Sequence, residues 1–159
     1  IYLMNEELLD PLIRSAVRHP ELQVECYVRT TRDYALPSNL TLHGLEGARF
    51  QERMKVCGAV VCSGGFATSS EAIQQGKPLL MVPSPNHFEQ YANCHDAQVH
   101  GLAAWSHEID LALLPVSQRG NDPWFSRYRD VLDRVFGFAA SHDVTAVPRA
   151  AAEGPVQQG

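Results

Sequence analysis

The sequence predicts a single α/β domain, in which a parallel sheet carries helices on both faces. Short apolar runs of strand character alternate with segments of helical periodicity, about one pair for every 20 residues. Such alternation is typical of parallel sheets with right-handed crossovers. The length of 159 residues and the hydrophobic content of 45 % also suit one ordinary globular domain.

The first half of the chain predicts strands and helices in alternation. After an opening apolar run, residues from Glu6 to Val17 carry apolar side chains at helical spacing. Asn5 is the predicted N-cap of this helix. The negative charges of Glu6 and Glu7 in its first turn interact favourably with the positive end of the helix dipole. The expected elements are strands over 1–4, 22–29 and 40–45, helices over 6–17 and 49–57 with Phe50 and Met54 inward, and a loop over 30–39.

The second half continues the alternation, and its helices have clear end signals. Gly76 and Gly101 each follow a helical segment at the position where glycine is preferred, and Pro78 prevents the first helix from continuing. The domain is predicted over residues 1–140, followed by a flexible tail over 141–159. The expected elements are strands over 59–62, 78–83 and 102–105, helices over 67–75 and 88–100, and an amphipathic helix over 122–142 with Pro123 in its first turn.

The charge balance excludes some classes of partner. A net charge of −5 and a pI near 5.8 provide no basic field for a nucleic-acid backbone, so no nucleic-acid partner is expected. Nothing resembles a signal peptide or a membrane span of about 20 apolar residues. The chain is therefore expected to be cytoplasmic.

The cysteines and histidines predict no metal site. The four cysteines lack the paired spacing of a zinc knuckle or a disulfide framework, so reduced thiols are expected. Three histidines, His87, His95 and His100, lack a single-face pair with a carboxylate ligand. The cysteines are Cys26, Cys57, Cys62 and Cys94.

The most informative stretch is VVCSGGFATSSEAIQQGKPLLMVPSP, over residues 60–85. A strand breaks at Gly64 and Gly65 directly before a helix, at the sheet edge where α/β proteins bind ligands. The free N–H groups and positive dipole end of that helix favour phosphate, and the glycines allow close approach of the backbone. Hydroxyl donors lie nearby at Ser63, Thr68, Ser69 and Ser70.

The same residues also fit a purely structural turn. A plain turn followed by an N-cap accounts for the glycines and the hydroxyls as well as a phosphate site does. A Walker A loop fails, because Gly76 and Lys77 are followed by Pro78 and lie after the helix. A nucleophile elbow at Ser63 fails because Val61 stands where that motif needs glycine.

Carboxylate and amide side chains near the turn suit sugar hydroxyls. Glu71 lies in the first turns of the helix, where it would repel phosphate unless it accepts hydrogen bonds from ribose hydroxyls. A capping box with Glu71 at N3 is the alternative explanation. After the next strand, Glu89, Gln90 and Asn93 offer acceptors and donors at one end of another helix facing the same crevice. A solvated helix start would explain these three residues by itself.

The stretch over residues 60–103 carries an ordered set of motifs. It contains a strand, a Gly-rich turn, Thr, a Glu in the helix, Gly-x-Pro, a strand ending in Pro, then Gln, Asn and a later Gly. This set resembles the donor-binding core of GT-B glycosyltransferases, especially the C-terminal domain of the peptidoglycan GlcNAc-transferase type. The order of elements extends the resemblance over residues 1–137. The resemblance implies a Rossmann-like parallel sheet that forms one half of a GT-B fold.

The resemblance also implies a role for each site residue. Glu71 is expected to accept the ribose hydroxyls, and Asn93 to hold its helix or the donor sugar. The residues expected at the donor diphosphate are Ser63, Gly64, Gly65, Thr68 and Ser69. Those expected to face the donor sugar are Glu89 and Gln90. Those expected where the family reads the uracil edge through backbone groups are His43, Gly44 and Leu45.

Two features depart from the family pattern. LMNEELL follows the first strand, where relatives often have a glycine loop. Cys62 and Ser63 stand before the glycines, where relatives are often basic. Both departures imply weaker diphosphate binding.

The resemblance implies that a sugar is transferred from a UDP-sugar to an acceptor hydroxyl, with inversion and without a metal or cofactor. Backbone N–H groups, the helix dipole and hydroxyls would stabilise the leaving-group charge. The general base belongs to the other half, an N-terminal acceptor domain or a separate acceptor subunit, and only that half would associate peripherally with a membrane. The chain, which lacks an initiator Met, is interpreted as a piece of a longer protein that is inactive alone.

Two further functions fit the same sequence. A nucleotide-sugar 2-epimerase shares the GT-B scaffold and would convert UDP-GlcNAc without an acceptor. A non-catalytic binding or interaction domain would keep the fold without affinity for a donor. Glu71 and Gln90 are the residues that would distinguish a donor site from such a domain.

Overall fold

The computed structural model describes residues 1–3 and 6–115 and confirms the predicted fold class. Its strands are β1 (Tyr2–Leu3), β2 (Val24–Val28), β3 (Leu40–His43), β4 (Val60–Cys62), β5 (Leu79–Met81) and β6 (Ala104–Trp105). They form a six-stranded sheet in the order β3-β2-β1-β4-β5-β6, and every neighbouring pair is parallel. This is the order of a doubly wound, Rossmann-like sheet, which grows outward from β1 and β4.

The helices within the described residues form close to their predicted positions. They are α1 (Leu9–Arg18), α2 (Gly47–Val56), α3 (Phe66–Gln74) and α4 (Phe88–Val99), with short 3-10 turns at Glu6–Leu8 and Leu111–Leu113. The predicted helix over residues 122–142 and the predicted tail over 141–159 lie outside the described residues. The same is true of Met4 and Asn5.

The first helix begins later than the sequence predicted, at Leu9 instead of Glu6. Pro11 accounts for the difference, because it has no N–H to donate to the carbonyl of Glu7. The residues before Leu9 form a 3-10 turn, and Leu8 precedes the helix without a capping side chain.

One line of six side chains, the register row, crosses the sheet near the carboxyl ends of its strands. Its members, paired in sequence across the sheet, are His43, Tyr27, Tyr2, Cys62, Met81 and Trp105. Because paired residues in parallel strands point to the same side, the row lies on one face of the sheet. Phe50 of α2 covers it there, with ring centroids 4.7 Å from Tyr2 and 5.4 Å from Tyr27.

The opposite face of the sheet packs against α1. Its core combines residues of α1 with alternate residues of the strands and with the 3-10 turn after β6. These residues include Leu9, Leu12, Ala16, Val24, Cys26, Val28, Val61, Leu80 and Leu111. The sheet is therefore buried on both faces, as its near-continuous apolar strands require.

Glycine ends α3 and α4 as predicted. Gly76 has φ +65° and Gly101 has φ +68°, the left-handed conformation that glycine adopts without strain. After α3, the N–H of Gly76 donates to the carbonyl of Ile73 at 2.9 Å, and that of Lys77 to Ala72 at 3.0 Å. These two bonds form a Schellman motif, which satisfies carbonyls that the helix leaves unpaired.

Asn39→Ala is expected to lower the free energy of unfolding by about 1–3 kcal/mol. The Asn39 Nδ2 donates to the carbonyl oxygens of Ala16, His19 and Leu22 at 2.9–3.0 Å, and the residue is only 6 % exposed. Alanine would leave these carbonyls without that donor. Urea unfolding measures the change, with Gln74→Ala on the exposed side of α3 as the control. An unaltered midpoint for Asn39→Ala would contradict this role.

Candidate functional site

The glycine turn, residues 63–65, lies at the switch point of the sheet. It follows β4, which pairs with β1, and the order of the strands reverses between these two. In doubly wound sheets the ligand crevice opens beyond the carboxyl ends of the strands at this point. The turn leads directly into α3, whose N-cap is Gly65. The N–H groups of the first turn of α3, which find no acceptor within the helix, and its positive dipole end therefore lie at the crevice, as the sequence predicted.

Gly64 is required both by its conformation and by its neighbours. Its φ is +81°, and a Cβ at this position would lie 2.9 Å from the Cys94 Sγ and 3.2 Å from the Gln90 carbonyl oxygen. Gly65 differs, because its φ is −65° and a Cβ there would meet nothing within 4 Å. Gly64 therefore lets α4 approach the turn, whereas Gly65 leaves open space in front of α3.

Asn93 connects α4 to the glycine turn. Its Nδ2 donates to the carbonyl oxygen of Gly64 at 3.0 Å. This bond fixes the orientation of the peptide that precedes Gly65 and α3. The side chain therefore positions the turn relative to α4.

Two neutral thiols flank the turn. Burial raises the pKa of the Cys62 thiol to about 11 and that of the Cys94 thiol to about 12. Both groups therefore remain protonated at neutral pH and add no negative charge beside the crevice. An anion at the turn meets no repulsion from them.

The hydroxyl groups near the turn differ in their availability. Ser63 is buried, and Thr68 is half-buried at the third helical position of α3. Ser69, a predicted diphosphate ligand, donates its hydroxyl hydrogen to the carbonyls of Gly65 at 2.8 Å and Phe66 at 3.1 Å. Such back-bonding is common for serine inside a helix, and it directs the hydrogen away from the crevice.

Glu71 is placed deeper in α3 than a capping residue would be. It is the sixth residue of the helix and is half-buried, and its Oε1 accepts from the Gln75 Nε2 at 3.4 Å. The capping-box alternative is wrong, because the third helical position is Thr68 and no side chain caps the helix at Gly65. Glu71 lies about 7 Å along the helix axis from the first residue, Phe66.

The predicted sugar-facing residues of α4 lie in different environments. Glu89 is exposed in the first turn. Gln90 is only 9 % exposed, and its Oε1 accepts the Ser84 N–H at 2.8 Å. That bond braces the loop between β5 and α4, which also contains Asn86 at φ +62°. The Gln90 oxygen is therefore occupied within the protein, whereas the Glu89 carboxylate is open to solvent.

The predicted nucleobase residues lie apart from the glycine turn. His43 ends β3, the edge strand, and β2 and β1 separate it from β4 by three strand spacings, about 14 Å. Its ring stacks on Tyr27 with centroids 4.9 Å apart, and its Nε2 lies 3.6 Å from the Glu25 Oε2. Gly44 is exposed and Leu45 is half-buried. A ligand that touched both regions would have to be extended.

A cavity of about 720 Å³ lies at the opposite, amino end of the strands. Its walls include Val24 and Val60, where β2 and β4 begin, and the C-terminal end of α2. The negative end of that helix dipole disfavours an anion. The cavity also contains Arg53, but its guanidinium already donates to the Glu25 carboxylate at 2.6 and 3.1 Å. This cavity is therefore a poor site for a phosphate group.

Within residues 1–3 and 6–115, no cluster of three His, Cys, Asp or Glu side chains is arranged to hold a metal ion. In the same part of the chain, no helix is long and apolar enough to cross a bilayer.

The parallel sheet and the turn at its switch point define a Rossmann-like domain of the kind found in GT-B glycosyltransferases. The chain belongs to glycosyl transferase family 1, whose family model matches residues 6–117. No curated protein sequence matches the chain.

Solved glycosyltransferase structures share this fold. The chain is similar to the spinosyn forosaminyltransferase SpnP, with a TM-score of 0.54, 18 % identity and coverage of 86 % of this chain and 39 % of that one. It is similar to the glycotransferase of kitacinnamycin, with a TM-score of 0.52, 17 % identity and coverage of 84 % of this chain and 38 % of that one. It is also similar to the glycosyltransferase SnogD from Streptomyces nogalater, with a TM-score of 0.51, 13 % identity and coverage of 86 % of this chain and 38 % of that one. The chain thus spans about two fifths of the length of these proteins. The resemblance to GT-B enzymes is confirmed, whereas the peptidoglycan type stays a prediction.

Sequence reasoning missed the reason why Gly64 must be glycine. The contact with Cys94 joins residues that are 30 positions apart, and no local pattern marks it. A pair of glycines after a strand signals only that some close approach occurs. Which helix approaches is decided by tertiary packing.

Gly64→Ala is expected to lower the free energy of unfolding by about 2–5 kcal/mol, through backbone strain and overpacking against α4. The matched control is Gly65→Ala, which is expected to cost about 1 kcal/mol or less. Urea unfolding of the two variants measures the difference. Equal stability of the two alanine variants would show that α4 does not constrain the turn.

Proposed function

We propose that the chain is the C-terminal, donor-binding half of a GT-B glycosyltransferase. The enzyme would transfer a sugar from a UDP-sugar to an acceptor hydroxyl, with inversion and without a bound metal. The observation that carries the proposal is the glycine turn at the switch point, directly before α3, in a chain of glycosyl transferase family 1. An anion-binding helix start at this place suits the diphosphate of a nucleotide sugar.

The donor diphosphate would bind at the glycine turn and the first turn of α3. When the sugar leaves, negative charge develops on the diphosphate, and preorganised N–H groups stabilise that charge. The peptides of Gly65 and Thr68 would supply such groups, and Asn93 would keep the turn in place through the Gly64 carbonyl. The stabilisation needs no metal, because helix dipole and N–H groups already favour the anion.

The remaining parts of the donor would follow α3 and α4. Glu71, about 7 Å further along α3, would accept the two ribose hydroxyls. The exposed Glu89 would accept hydrogen bonds from hydroxyl groups of the sugar. Gln90 would act mainly by bracing the loop at Ser84. His43 at the end of β3 and the loop residues Gly44 and Leu45 would contact the nucleobase, and an extended nucleotide suits their separation from the turn.

The acceptor and the general base would belong to the other half of the enzyme. The chain spans about two fifths of the similar glycosyltransferases, so a second domain or subunit is needed to complete such an enzyme. Alone, the chain would bind the donor but would not transfer the sugar. No cofactor is needed beyond the UDP-sugar substrate, and the reaction would take place in the cytoplasm.

Glu71→Ala is expected to weaken the binding of UDP about tenfold or more, because two hydrogen bonds to a charged group are lost. Calorimetric titration of the chain with UDP, and with ADP as the matched diphosphate, measures the affinity and its dependence on the base. The wild-type chain is expected to prefer UDP.

Glu52→Ala on the exposed surface of α2 is the control, since it removes the same charge away from the turn. Circular dichroism shows that each variant is folded. Unchanged UDP affinity in Glu71→Ala would remove Glu71 from the site. Failure of the wild-type chain to bind millimolar UDP would contradict the donor-binding function itself.

A further inference from the structure

The imidazole ring of His43 is held in place by two side chains of the neighbouring strand β2. The ring stacks on that of Tyr27, with centroids 4.9 Å apart and planes inclined at 29°. Its Nε2 lies 3.6 Å from the Glu25 Oε2. The first contact fixes the plane of the ring, and the second fixes the direction in which Nε2 points.

The Glu25 carboxylate is itself fixed from two sides. The Arg53 Nε of α2 donates to its Oε2 at 3.1 Å and the Arg53 Nη2 to its Oε1 at 2.6 Å. The Tyr27 hydroxyl donates to the Oε2 at 3.3 Å. The hydrogen bonds of Arg53 lower the pKa of the Glu25 carboxyl, which is therefore ionised at neutral pH. Because the guanidinium balances this charge, His43 can stay neutral beside it.

The two ring nitrogens of His43 have different surroundings. Nε2 is buried and has no hydrogen bond within residues 1–3 and 6–115. The Glu25 oxygen that it faces, at 3.6 Å, is too distant for a hydrogen bond but close enough to act electrostatically. A lone pair on Nε2 would be repelled by this oxygen, whereas an N–H group is attracted. The surroundings therefore favour the tautomer with hydrogen on Nε2, which leaves Nδ1 as an acceptor.

The Nδ1 atom has no partner of its own in the described part of the chain. It forms no hydrogen bond with a described residue and is not enclosed as Nε2 is, since the side chain stays 13 % exposed. His43 is the last residue of β3, at the carboxyl edge of the sheet and directly before Gly44. A hydrogen-bond acceptor at this place distinguishes between pyrimidine bases. Uracil and thymine carry an N–H group at ring position 3, where cytosine has a lone pair.

We propose that Glu25 fixes His43 in the Nε2–H tautomer and that the His43 Nδ1 accepts a hydrogen bond from the N3–H of uracil or thymine. The proposal rests on the donor-binding function proposed above. His43 acts on the base through its side chain, in addition to the backbone groups that the family resemblance implies. Glu25 is a positioning residue, because it acts only through His43. Cytosine would set its lone pair against that of Nδ1, so UDP binds more tightly than CDP.

The tautomer is measured on the ¹⁵N-labelled 159-residue chain at pH 8.5, without a ligand. Long-range ¹H–¹⁵N spectra of the imidazole rings distinguish a protonated nitrogen from one with a lone pair, and the signals missing in His43→Phe assign His43. The wild type is expected to show Nε2–H alone, and Glu25→Gln a mixture with Nδ1–H. The matched control is Glu21→Gln, which removes a carboxylate beside His19, before β2 begins, and leaves the His43 signals unchanged.

Calorimetric titration with UDP and CDP measures the effect on the base. The wild type is expected to prefer UDP about threefold to tenfold, as for one hydrogen bond. His43→Phe keeps a ring to stack on Tyr27 but loses the acceptor, so UDP binds more weakly and the preference disappears. Glu25→Gln lowers the preference in part, and Glu21→Gln retains it. Inorganic pyrophosphate, which has no base, binds to all these proteins equally.

The outcomes separate this proposal from the donor-binding function. A wild-type His43 that carries hydrogen on Nδ1, or on both nitrogens, overturns the proposal whatever the chain binds. An unchanged tautomer in Glu25→Gln shows that Glu25 does not set it. If His43→Phe keeps the full preference for UDP, His43 does not read the base, although the donor site stands. If the wild type shows Nε2–H but does not bind millimolar UDP, the donor-binding function is wrong, and base reading with it.

Discussion

The approach of α4 to Gly64 determines the geometry of the carboxyl edge. Because Gly64 has no Cβ, the Cys94 sulfur and the Gln90 carbonyl can lie where a side chain would otherwise be. The Asn93 amide then bonds the Gly64 carbonyl, and the turn is fixed between β4 and α4. The start of α3 is fixed with it. A helix start that is fixed in place, with open space beside its N–H groups, can stabilise negative charge on a ligand without reorganising. Electrostatic catalysis depends on such preorganised donors.

The sheet extends this constraint to the neighbouring loops. Six strands end at nearly the same level because their register pairs one residue of each in a single row. The loops that follow them therefore form one continuous edge, with the turn near its middle. Along this edge the glycine turn provides N–H groups after β4, and His43 stands at the end of β3. A nucleoside diphosphate is long enough to require such separated contacts.

Local signals predicted much of this architecture. The ends of α3 and α4 followed from Gly76 and Gly101, because the preference for glycine after a helix acts within a few residues. The position of the glycine turn followed equally well from a strand that stops directly before a helix.

The partners of individual polar side chains were not predictable in the same way. The Ser69 hydroxyl turns back to the helix, and the Gln90 oxygen is taken by the Ser84 N–H. Motif spacing marked both residues as ligands, because it shows that a polar group is present without showing which partner satisfies it. The single row of paired residues across the sheet depends on β-sheet register, which single-sequence periodicity does not contain.

The glycine turn is the proposed binding place for the diphosphate of a nucleotide donor, and the rest of the site depends on it. The most direct test is the backbone amide NMR spectrum of the ¹⁵N-labelled chain during addition of UDP. The largest shifts are expected at the amides of Gly64, Gly65, Ala67 and Thr68. Shifts confined to the amino-end cavity, at residues such as Val24 and Val60, would contradict this binding mode, as would a spectrum that UDP leaves unchanged.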